Sequence, residues 1–530
     1  MILRSLFAVG MTAISLTGSA HAGEPLRAVI DRELNAHWKA QNLAPAAKST
    51  DAEFLRRVSL DLIGTIPAHD ETVAFLADSD AGKRAKRIDK LLADPRFAKA
   101  QADVWDLLLF GRRPGNESET RVRPAFKAWL AKQFEEGTPF DKLARELLVA
   151  EQPGSEMFLV QFRSQPEEAA VQISRVFLGT QLQCARCHDH PYDIWKQKDF
   201  YGVAGFFVRL VVQDGPSGMG NSKSFSIGEK ETGDVLFSGA VKDQKPGQKG
   251  DPVKPKFLGG DALAEPPTPK DAKAQPSLKS GEKLPKPSFS RKEKFAAWLI
   301  APENPYFAKA AANRIWSQFF GRGIVHPIDD FGKDNEPLSP SLLKAFAEGF
   351  AASKFDVKGL IREIANSDAY QLGGLGSSKD ALPKHFERAR VRPLTAEEIV
   401  AAMRTATGTE VDPKNPTANW EYFLRAFGEP ANGLGEFQGS LSEHLFLNNS
   451  DQVRALIRRK KGNLADAILT SKDPWEKRVE RMYLSVLSRP PKPKELEAFV
   501  EFIGQEKKPE AAVEDAIWVL LNSGEFRFNH

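Results

Sequence analysis

The sequence predicts a mainly α-helical protein in which two helical domains are joined by a loop-rich middle. Over most of the chain, apolar residues recur at intervals of three and four, which is the spacing of one helix face. Alternation with a period of two, typical of half-buried strands, is scarce. Between residues 213 and 290 the composition shifts to Gly, Pro, Lys and Ser, which favours loops and flexible linkers. These observations predict a helical domain over residues 23–212, the loop-rich middle over 213–290 and a second helical domain over 291–530.

Residues 1–22 predict a secretory signal peptide. Arg4 provides a positive start, Leu6–Leu16 a short apolar run, and Ala20–Ala22 a small-residue cleavage site. An uncleaved anchor is the alternative, but the run is short for a membrane span. We therefore expect a periplasmic or secreted protein with no membrane span after signal cleavage.

The N-terminal domain is predicted to be a series of helices. An apolar stripe over residues 26–38 marks the first helix. Thr50 followed by Glu53 is a capping box for the second helix, which Gly64 closes. Further helices are expected over residues 71–76, 85–92, 97–109, 125–134 and 140–148.

One more helix begins near Pro166, with Glu167 and Glu168 in its first turn, where negative charge suits the helix dipole. Its apolar stripe ends before Gly179. The residues that follow are therefore expected at a helix end or on the loop beyond it.

The loop-rich middle and the C-terminal domain complete the predicted architecture. Within the middle, Val235–Phe237 is a candidate short strand, and the lysines are expected on a solvated surface. The C-terminal domain is predicted to contain helices over residues 295–300, 308–320, 340–350, 360–366, 395–403, 451–458, 477–487, 495–502 and 511–521.

Composition limits the classes of function. The 530 residues are 41% hydrophobic and 27% charged, as in an ordinary soluble globular protein. A net charge of only +4 gives no reason to expect a nucleic-acid partner. The sequence contains no G-x-S-x-G elbow, no P-loop and no dinucleotide-binding glycine motif after a strand. Two cysteines in so long an exported chain are too few for a disulfide framework, so their role must be local.

Both cysteines lie in the segment QLQCARCHDHPYDIW, residues 181–195, as a C-x-x-C-H motif. This spacing suits covalent haem, with Cys184 and Cys187 forming thioethers and His188 as the proximal iron ligand. Such attachment follows export, in agreement with the signal peptide. No sixth ligand is evident; Met219 and Met157 are candidates, although loop or core packing is the commoner role of methionine.

Two other chemistries remain open for the same cluster. Zinc could be bound by Cys184, Cys187, His188 and His190, although four ligands within seven residues rarely close a tetrahedron. A redox dithiol or a structural disulfide is also open, but thioredoxin-like proteins place this pair after a strand in a βαβ unit, which is not visible here. His190 is in addition a candidate for contact with haem or substrate, or a solvated loop residue.

The segment GRGIVHPIDDFGKDNEP contains a second candidate site. His326, Asp329 and Asp330 could bind a hard or borderline metal or perform acid–base chemistry, or they could form a polar loop. Arg314, on the preceding helix, could hold a carboxylate or a haem propionate because guanidinium suits paired oxygens. A buried structural salt bridge is the equal alternative for Arg314.

Several long segments resemble a known family. FLRRVSLDLIGTIPAHDETVAFLAD and FLGTQLQCARCHDHPYDIWKQKDFYGVAGFF resemble a secreted, planctomycete-type domain of unknown function that often occurs beside cytochrome c domains. NPYFAKAAANRIWSQFFGRGIVHPIDDFG and RMYLSVLSRPPKPKELEAF resemble its usual C-terminal partner domain, also of unknown function. The resemblance implies an exported, cytochrome-associated protein whose C-x-x-C-H-x-H-P motif falls on Cys184, Cys187, His188, His190 and Pro191. Many relatives add a small cytochrome c domain, for which this chain has no cysteines left, so a separate cytochrome is implied as redox partner.

Together these observations predict an exported c-type haem protein in periplasmic redox chemistry or electron transfer. It would be a haem-dependent oxidoreductase if it acts on a small molecule, and the setting suggests a sugar-like substrate. The alternative is a non-redox binding or scaffold protein of the cell envelope, with a structural metal site or a disulfide at Cys184 and Cys187.

Overall fold

The computed structural model describes eight stretches of the chain. These are residues 24–111, 117–217, 223–237, 250–269, 284, 286–376, 382–409 and 441–530. The predicted signal peptide over residues 1–22 lies outside the described residues, as does Met219. Where the chain is described it is mainly helical, which confirms the predicted fold class.

The helices before the loop-rich middle follow one another with short connections. They are α1 (Leu26–Ala40), α2 (Asp51–Ile63), α3 (His69–Ala77), α4 (Lys83–Leu92), α5 (Pro95–Phe110), α6 (Glu117–Glu135), α7 (Phe140–Val149), α8 (Met157–Val160), α9 (Pro166–Ile173) and α10 (Gln197–Ala204).

Helices return after the middle. They are α11 (Arg291–Leu299), α12 (Phe307–Phe320), α13 (Pro340–Ala352), α14 (Val357–Ala365), α15 (Ala396–Thr407), α16 (Leu441–Asn449), α17 (Asp451–Ile457), α18 (Leu464–Thr470), α19 (Trp475–Val486), α20 (Pro493–Gln505), α21 (Pro509–Leu521) and α22 (Gly524–Arg527).

The strands form small antiparallel pairs. β1 (Leu210–Ser217) pairs with β2 (Lys223–Glu229), and β3 (Val235–Phe237) pairs with β4 (Asp251–Val253). A last pair joins β5 (Arg392–Pro393) to β6 (Phe528–Asn529) at the end of the chain. The predicted strand over Val235–Phe237 is confirmed, whereas β1 and β2 were not evident from the sequence pattern.

The capping box predicted for α2 is present. The Oγ1 atom of Thr50 accepts a hydrogen bond from Glu53 N at 3.2 Å, and Glu53 Oε2 accepts one from Thr50 N at 2.8 Å. Gly64 ends the helix in the left-handed conformation, with φ 66°. These local rules hold because each partner lies within one helical turn.

Replacing Thr50 by alanine tests how much this cap contributes. The change leaves the N–H of Glu53 without its acceptor, and we expect the free energy of unfolding to fall by about 1 kcal/mol. Urea denaturation followed by tryptophan fluorescence measures the change. An unchanged midpoint would contradict the stabilising role of the cap.

Buried side chains form two hydrophobic clusters. The first contains residues between Ile30 and Phe386, and so combines α1–α10 with α11–α14. The second contains residues between Leu394 and Phe526, together with Leu60 and Ile66 from the N-terminal region. Helices α11–α14, which follow the loop-rich middle, therefore pack with the N-terminal helices, and the division between the two clusters falls between residues 386 and 394.

Helix α2 lies between the two clusters. Phe54, Leu55, Val58 and Leu62 are buried in the first cluster, and Leu60 is buried in the second. Because both sides of the helix are covered, the side chains of Arg56, Arg57 and Asp61 are buried as well.

The buried charges of α2 are held by distant parts of the chain. Arg56 donates to Phe526 O at 2.8 Å, and Arg57 donates to the carbonyl oxygens of Tyr370 and Leu372, both at 2.8 Å. These bonds connect α2 to segments on either side of the division between the clusters.

Asp61 is the acidic member of this set. It accepts hydrogen bonds from Tyr370 Oη at 2.8 Å, Arg392 Nη2 at 2.9 Å and Asn529 Nδ2 at 2.8 Å. Only 2% of its side chain is exposed. A single carboxylate therefore fixes α2, β5 and β6 to one another.

None of the helices in the described parts of the chain is long and apolar enough to cross a bilayer.

Candidate functional site

A close contact after α9 sets the position of the C-x-x-C-H segment. As predicted, Pro166 opens this helix and glutamates occupy its first turn. The helix continues as a π-helical turn, Ser174–Leu178, and ends at Gly179 with φ 62°. A Cβ atom at Gly179 would lie only 2.5 Å from Cδ2 of Phe331, so no side chain fits there. π-Helical turns in α-helices occur often at functional sites.

The two cysteines lie at one short turn. Residues Gln183–Arg186 form a 3₁₀ turn, anchored by the fully buried side chains of Leu182 and Ala185. Cys184 is part of this turn and Cys187 follows it directly. Both are exposed free thiols. The pair is thus open to modification from solvent.

His188 is exposed and has a defined tautomer. Its Nδ1 atom lies 2.7 Å from the carbonyl oxygen of Asp189. A carbonyl oxygen only accepts hydrogen bonds, so Nδ1 must carry a proton, and in the neutral ring the lone pair is then on Nε2. Within the described residues Nε2 has no hydrogen-bond partner, and a bond from Nδ1–H to a carbonyl is the usual support of a metal-bound imidazole.

The loop after His188 is held by the start of α10. Asp189 accepts a hydrogen bond from Gln197 N at 3.1 Å and pairs with Lys196 at 3.1 Å. Both interactions lower the pKa of Asp189. Gln197 Nε2 also donates to Arg186 O at 3.2 Å, so one residue connects both sides of the motif to the helix.

The aromatic flank of the motif divides into two groups. Trp195 is buried and packs edge-on against Tyr306, with 6.5 Å between the ring centroids. Tyr192 and Ile194 instead remain 71% and 67% exposed. His190 is half-buried, and its Nδ1 accepts a hydrogen bond from Tyr192 N at 3.3 Å. The exposed pair gives the surface beside the cysteines an apolar character.

The second candidate segment lies directly against the first. Phe331 N donates to Gly179 O at 2.8 Å, and Gln181 Nε2 donates to Asp329 Oδ1 at 3.2 Å. The structure therefore brings Asp329 beside the C-x-x-C-H segment, although sequence reasoning treated the two segments as separate sites. Gln181 makes this connection, and no signal in the sequence marked it.

Asp330 lies near a further carboxylate that sequence reasoning left out. A Cβ atom at Gly332 would be 3.1 Å from Asp330 Oδ1 and 3.2 Å from Asp193 Oδ2. Burial raises the pKa of Asp330, and the negative charges of Asp329 and Asp193 act in the same direction. The arrangement therefore holds the pKa of Asp330 above that of a solvated aspartate.

Arg314 is part of the interior. It is buried, its Nη2 donates to Arg175 O at 3.1 Å, and its Nε has no hydrogen-bond partner. Burial lowers the pKa of Arg314 to about 10, against the opposing charge of Asp329. Both roles considered for Arg314, binding of a carboxylate or propionate and a buried salt bridge, stay predictions.

His326 lies close enough to Asp329 for that charge to act on it, but Asp329 and Asp330 do not line the pocket that His326 lines. It lines a pocket together with His37 and His385, and its Nδ1 atom is buried without a hydrogen-bond partner. Burial lowers the pKa of His326 to about 4, with Arg322 and Arg390 contributing. Of the three residues proposed as one site, only His326 lines this pocket.

The remaining ligand predictions have mixed outcomes. Met157 is 3% exposed and packs in the first hydrophobic cluster, and Met219 lies outside the described residues. Across the stretches that the structure describes, no group of three or more His, Cys, Asp or Glu side chains is arranged to hold a metal ion. Zinc binding by Cys184, Cys187, His188 and His190 stays a prediction, as does binding of haem.

Two family models match this chain. Residues 29–211 match the model described as PSCyt2, protein of unknown function (DUF1549). Residues 291–422 match the model described as PSD1, protein of unknown function (DUF1553). No curated protein and no solved structure matches the chain significantly. The first match contains the C-x-x-C-H segment, and the second contains the segment around Asp329.

Proposed function

We propose that this chain, which carries the PSCyt2 and PSD1 domains in tandem, is an exported c-type haem protein. Cys184 and Cys187 would hold the porphyrin through thioethers, and His188 would ligate the iron through Nε2. The observation that carries the proposal is the pair of exposed thiols on one turn, followed by a histidine with Nδ1 bonded to a carbonyl and Nε2 free.

The residues present fit a covalently attached haem. Thioether formation requires reduced and accessible thiols, and both cysteines meet this requirement. The exposed side chains of Tyr192 and Ile194 supply apolar surface beside the attachment point. When bound, the haem would supply one-electron redox chemistry.

A surface attachment site suits electron exchange with a second protein. We therefore propose a separate cytochrome, or another exported redox protein, as the partner. If a small substrate is oxidised, we propose the Asp330 carboxyl as a proton acceptor, because it lies on the segment that contacts Gly179 and burial raises its pKa. A sugar-like substrate with hydroxyl groups would suit such a group.

A non-redox envelope protein is the second candidate. The same turn favours it, because two thiols three residues apart in an oxidising compartment can close a small disulfide or contribute to a structural zinc site. The chain would then bind or organise other envelope components.

The visible spectrum and the intact mass of the denatured protein distinguish these candidates. The full chain is produced in an exporting host that has haem-attachment machinery. We expect a Soret band and a mass increase of one haem, both lost in the Cys184→Ala/Cys187→Ala double variant. The matched control is His190→Ala. It should keep the Soret band and the mass increase, because His190 is outside the C-x-x-C-H residues that would attach the haem.

A colourless protein at the mass of the mature apoprotein would overturn the haem proposal. Metal analysis and titration of free thiols would then identify the alternative. One bound zinc per chain would indicate a metal site. A protein with neither bound metal nor free thiols would contain a disulfide.

A further inference from the structure

A pocket of about 290 Å³ lies on the surface that contains His326. It is formed where the end of α1 meets the segments 322–326, 336–338 and 384–385. Its polar lining includes His37, His326, His385, Arg322, Lys384 and Glu336. Neither family description assigns a role to these residues.

Arg322 carries positive charge into this pocket. Arg322 is half-buried and forms no ion pair with any described carboxylate. Burial and the neighbouring charge of Arg390 lower the pKa of Arg322. Lys384 adds a second positive charge to the lining, while Glu336 is the acidic group that faces the pocket. An anion in the pocket would relieve the repulsion between the two guanidinium groups.

The histidines add hydrogen-bonding groups. His37 Nε2 and His385 Nδ1 lie 2.8 Å apart, so one ring donates to the other. The Nδ1 atom of His326 is buried without a hydrogen-bond partner among the described residues. Imidazole N–H groups beside a guanidinium suit the oxygens of phosphate, sulfate or carboxylate.

The pocket is held in place by its neighbours. Asn313 Nδ2 donates to Val325 O at 2.9 Å and Asn313 Oδ1 accepts from Val325 N at 3.0 Å, which fixes the chain just before His326. Trp38 Nε1 donates to His385 O at 2.7 Å, which fixes the backbone at His385, another residue of the pocket lining. A ligand would therefore meet groups that are already oriented.

We propose that this pocket binds an oxyanion, either free or as the acidic group of a small molecule. Arg322 supplies the main charge, and Lys384 attracts the anion at the rim. The proposal is independent of the haem site, because Cys184, Cys187 and His188 do not line this pocket.

Thermal unfolding and calorimetric titration test the proposal on the full mature protein. Inorganic phosphate, sulfate and citrate are compared with chloride at constant ionic strength. We expect one of the oxyanions to bind and to raise the unfolding temperature as its concentration rises. Glucose 6-phosphate compared with glucose shows whether a phosphate carried on a sugar is taken as well.

Arg322→Gln is the decisive variant. We expect it to weaken anion binding at least about tenfold, since a charge-assisted bond is lost. In the absence of oxyanion, the variant should unfold at a slightly higher temperature than the wild type, because the repulsion between Arg322 and Arg390 is removed. The control Lys333→Gln changes an exposed lysine outside the pocket lining and should behave as the wild type.

Two results would overturn the proposal: no oxyanion stabilises the wild type more than chloride, or the oxyanion stabilises Arg322→Gln as much as the wild type. Repeating the titration on Cys184→Ala/Cys187→Ala separates the two proposals, because anion binding should be unchanged whether or not haem was attached.

Discussion

Replacing Asp61 by alanine is expected to lower the free energy of unfolding by about 3–5 kcal/mol, because it removes one partner of a buried charge network. The Asp61 carboxylate receives hydrogen bonds from Tyr370, Arg392 and Asn529. All three donors would be left in a buried environment with fewer acceptors. Arg392 keeps Glu398 as a second partner at 2.8 Å, which limits the loss.

Chemical denaturation followed by tryptophan fluorescence measures this effect. The matched control is Asp70→Ala, whose side chain is 97% exposed, and a change within about 0.5 kcal/mol is expected there. The free energy of unfolding of Asp61→Asn should lie between those of the two alanine variants. The amide retains an oxygen acceptor but loses the charge that attracts Arg392. Equal midpoints for Asp61→Ala and Asp70→Ala would show that the network does not stabilise the fold.

Replacing Gly179 by alanine is expected to displace the C-x-x-C-H turn and to destabilise the protein. The left-handed backbone, with φ 62°, costs about 1–2 kcal/mol for a residue with a Cβ. The overlap with the ring of Phe331 adds about 1–3 kcal/mol of overpacking. Because Phe331 N also bonds to Gly179 O, the strain is transmitted to the segment that contains Asp329.

Gly137→Ala separates the two contributions. Gly137 has φ 67°, but nothing lies within 4 Å of a Cβ built there, so only the backbone cost applies. We expect Gly179→Ala to be clearly less stable than Gly137→Ala in the same denaturation experiment. If haem is attached as proposed, the Gly179→Ala protein should in addition carry less of it. Equal stability of the two variants would show that the contact with Phe331 adjusts without cost.

Sequence reasoning succeeded where a structural rule acts over a few residues. The capping box of Thr50 and Glu53, the helix start at Pro166 and the helix end at Gly179 depend on neighbours within one or two turns.

The contacts that assemble the candidate site could not be predicted in the same way. Gln181 and Asp329 are separated by 148 positions, and His37 and His385 by 348. No periodicity or spacing rule relates residues so far apart, so Asp329 was grouped with His326, its neighbour in sequence. Likewise, the pattern of α2 identifies its apolar residues, but the burial of Arg56 and Arg57 depends on carbonyl groups hundreds of residues away.

The position of α2 has a consequence for the order of folding. During synthesis this helix emerges long before its partners: Arg56 and Phe526 are 470 residues apart, and Arg57 and Tyr370 are 313 apart. An early collapse of the N-terminal helices must leave one side of α2 hydrated until the last residues arrive. We expect such a chain to fold slowly and to depend on chaperones while it is incomplete. We also expect the C-terminal helices not to fold as a separate module, because Leu60 and Ile66, from the N-terminal region, complete their hydrophobic cluster.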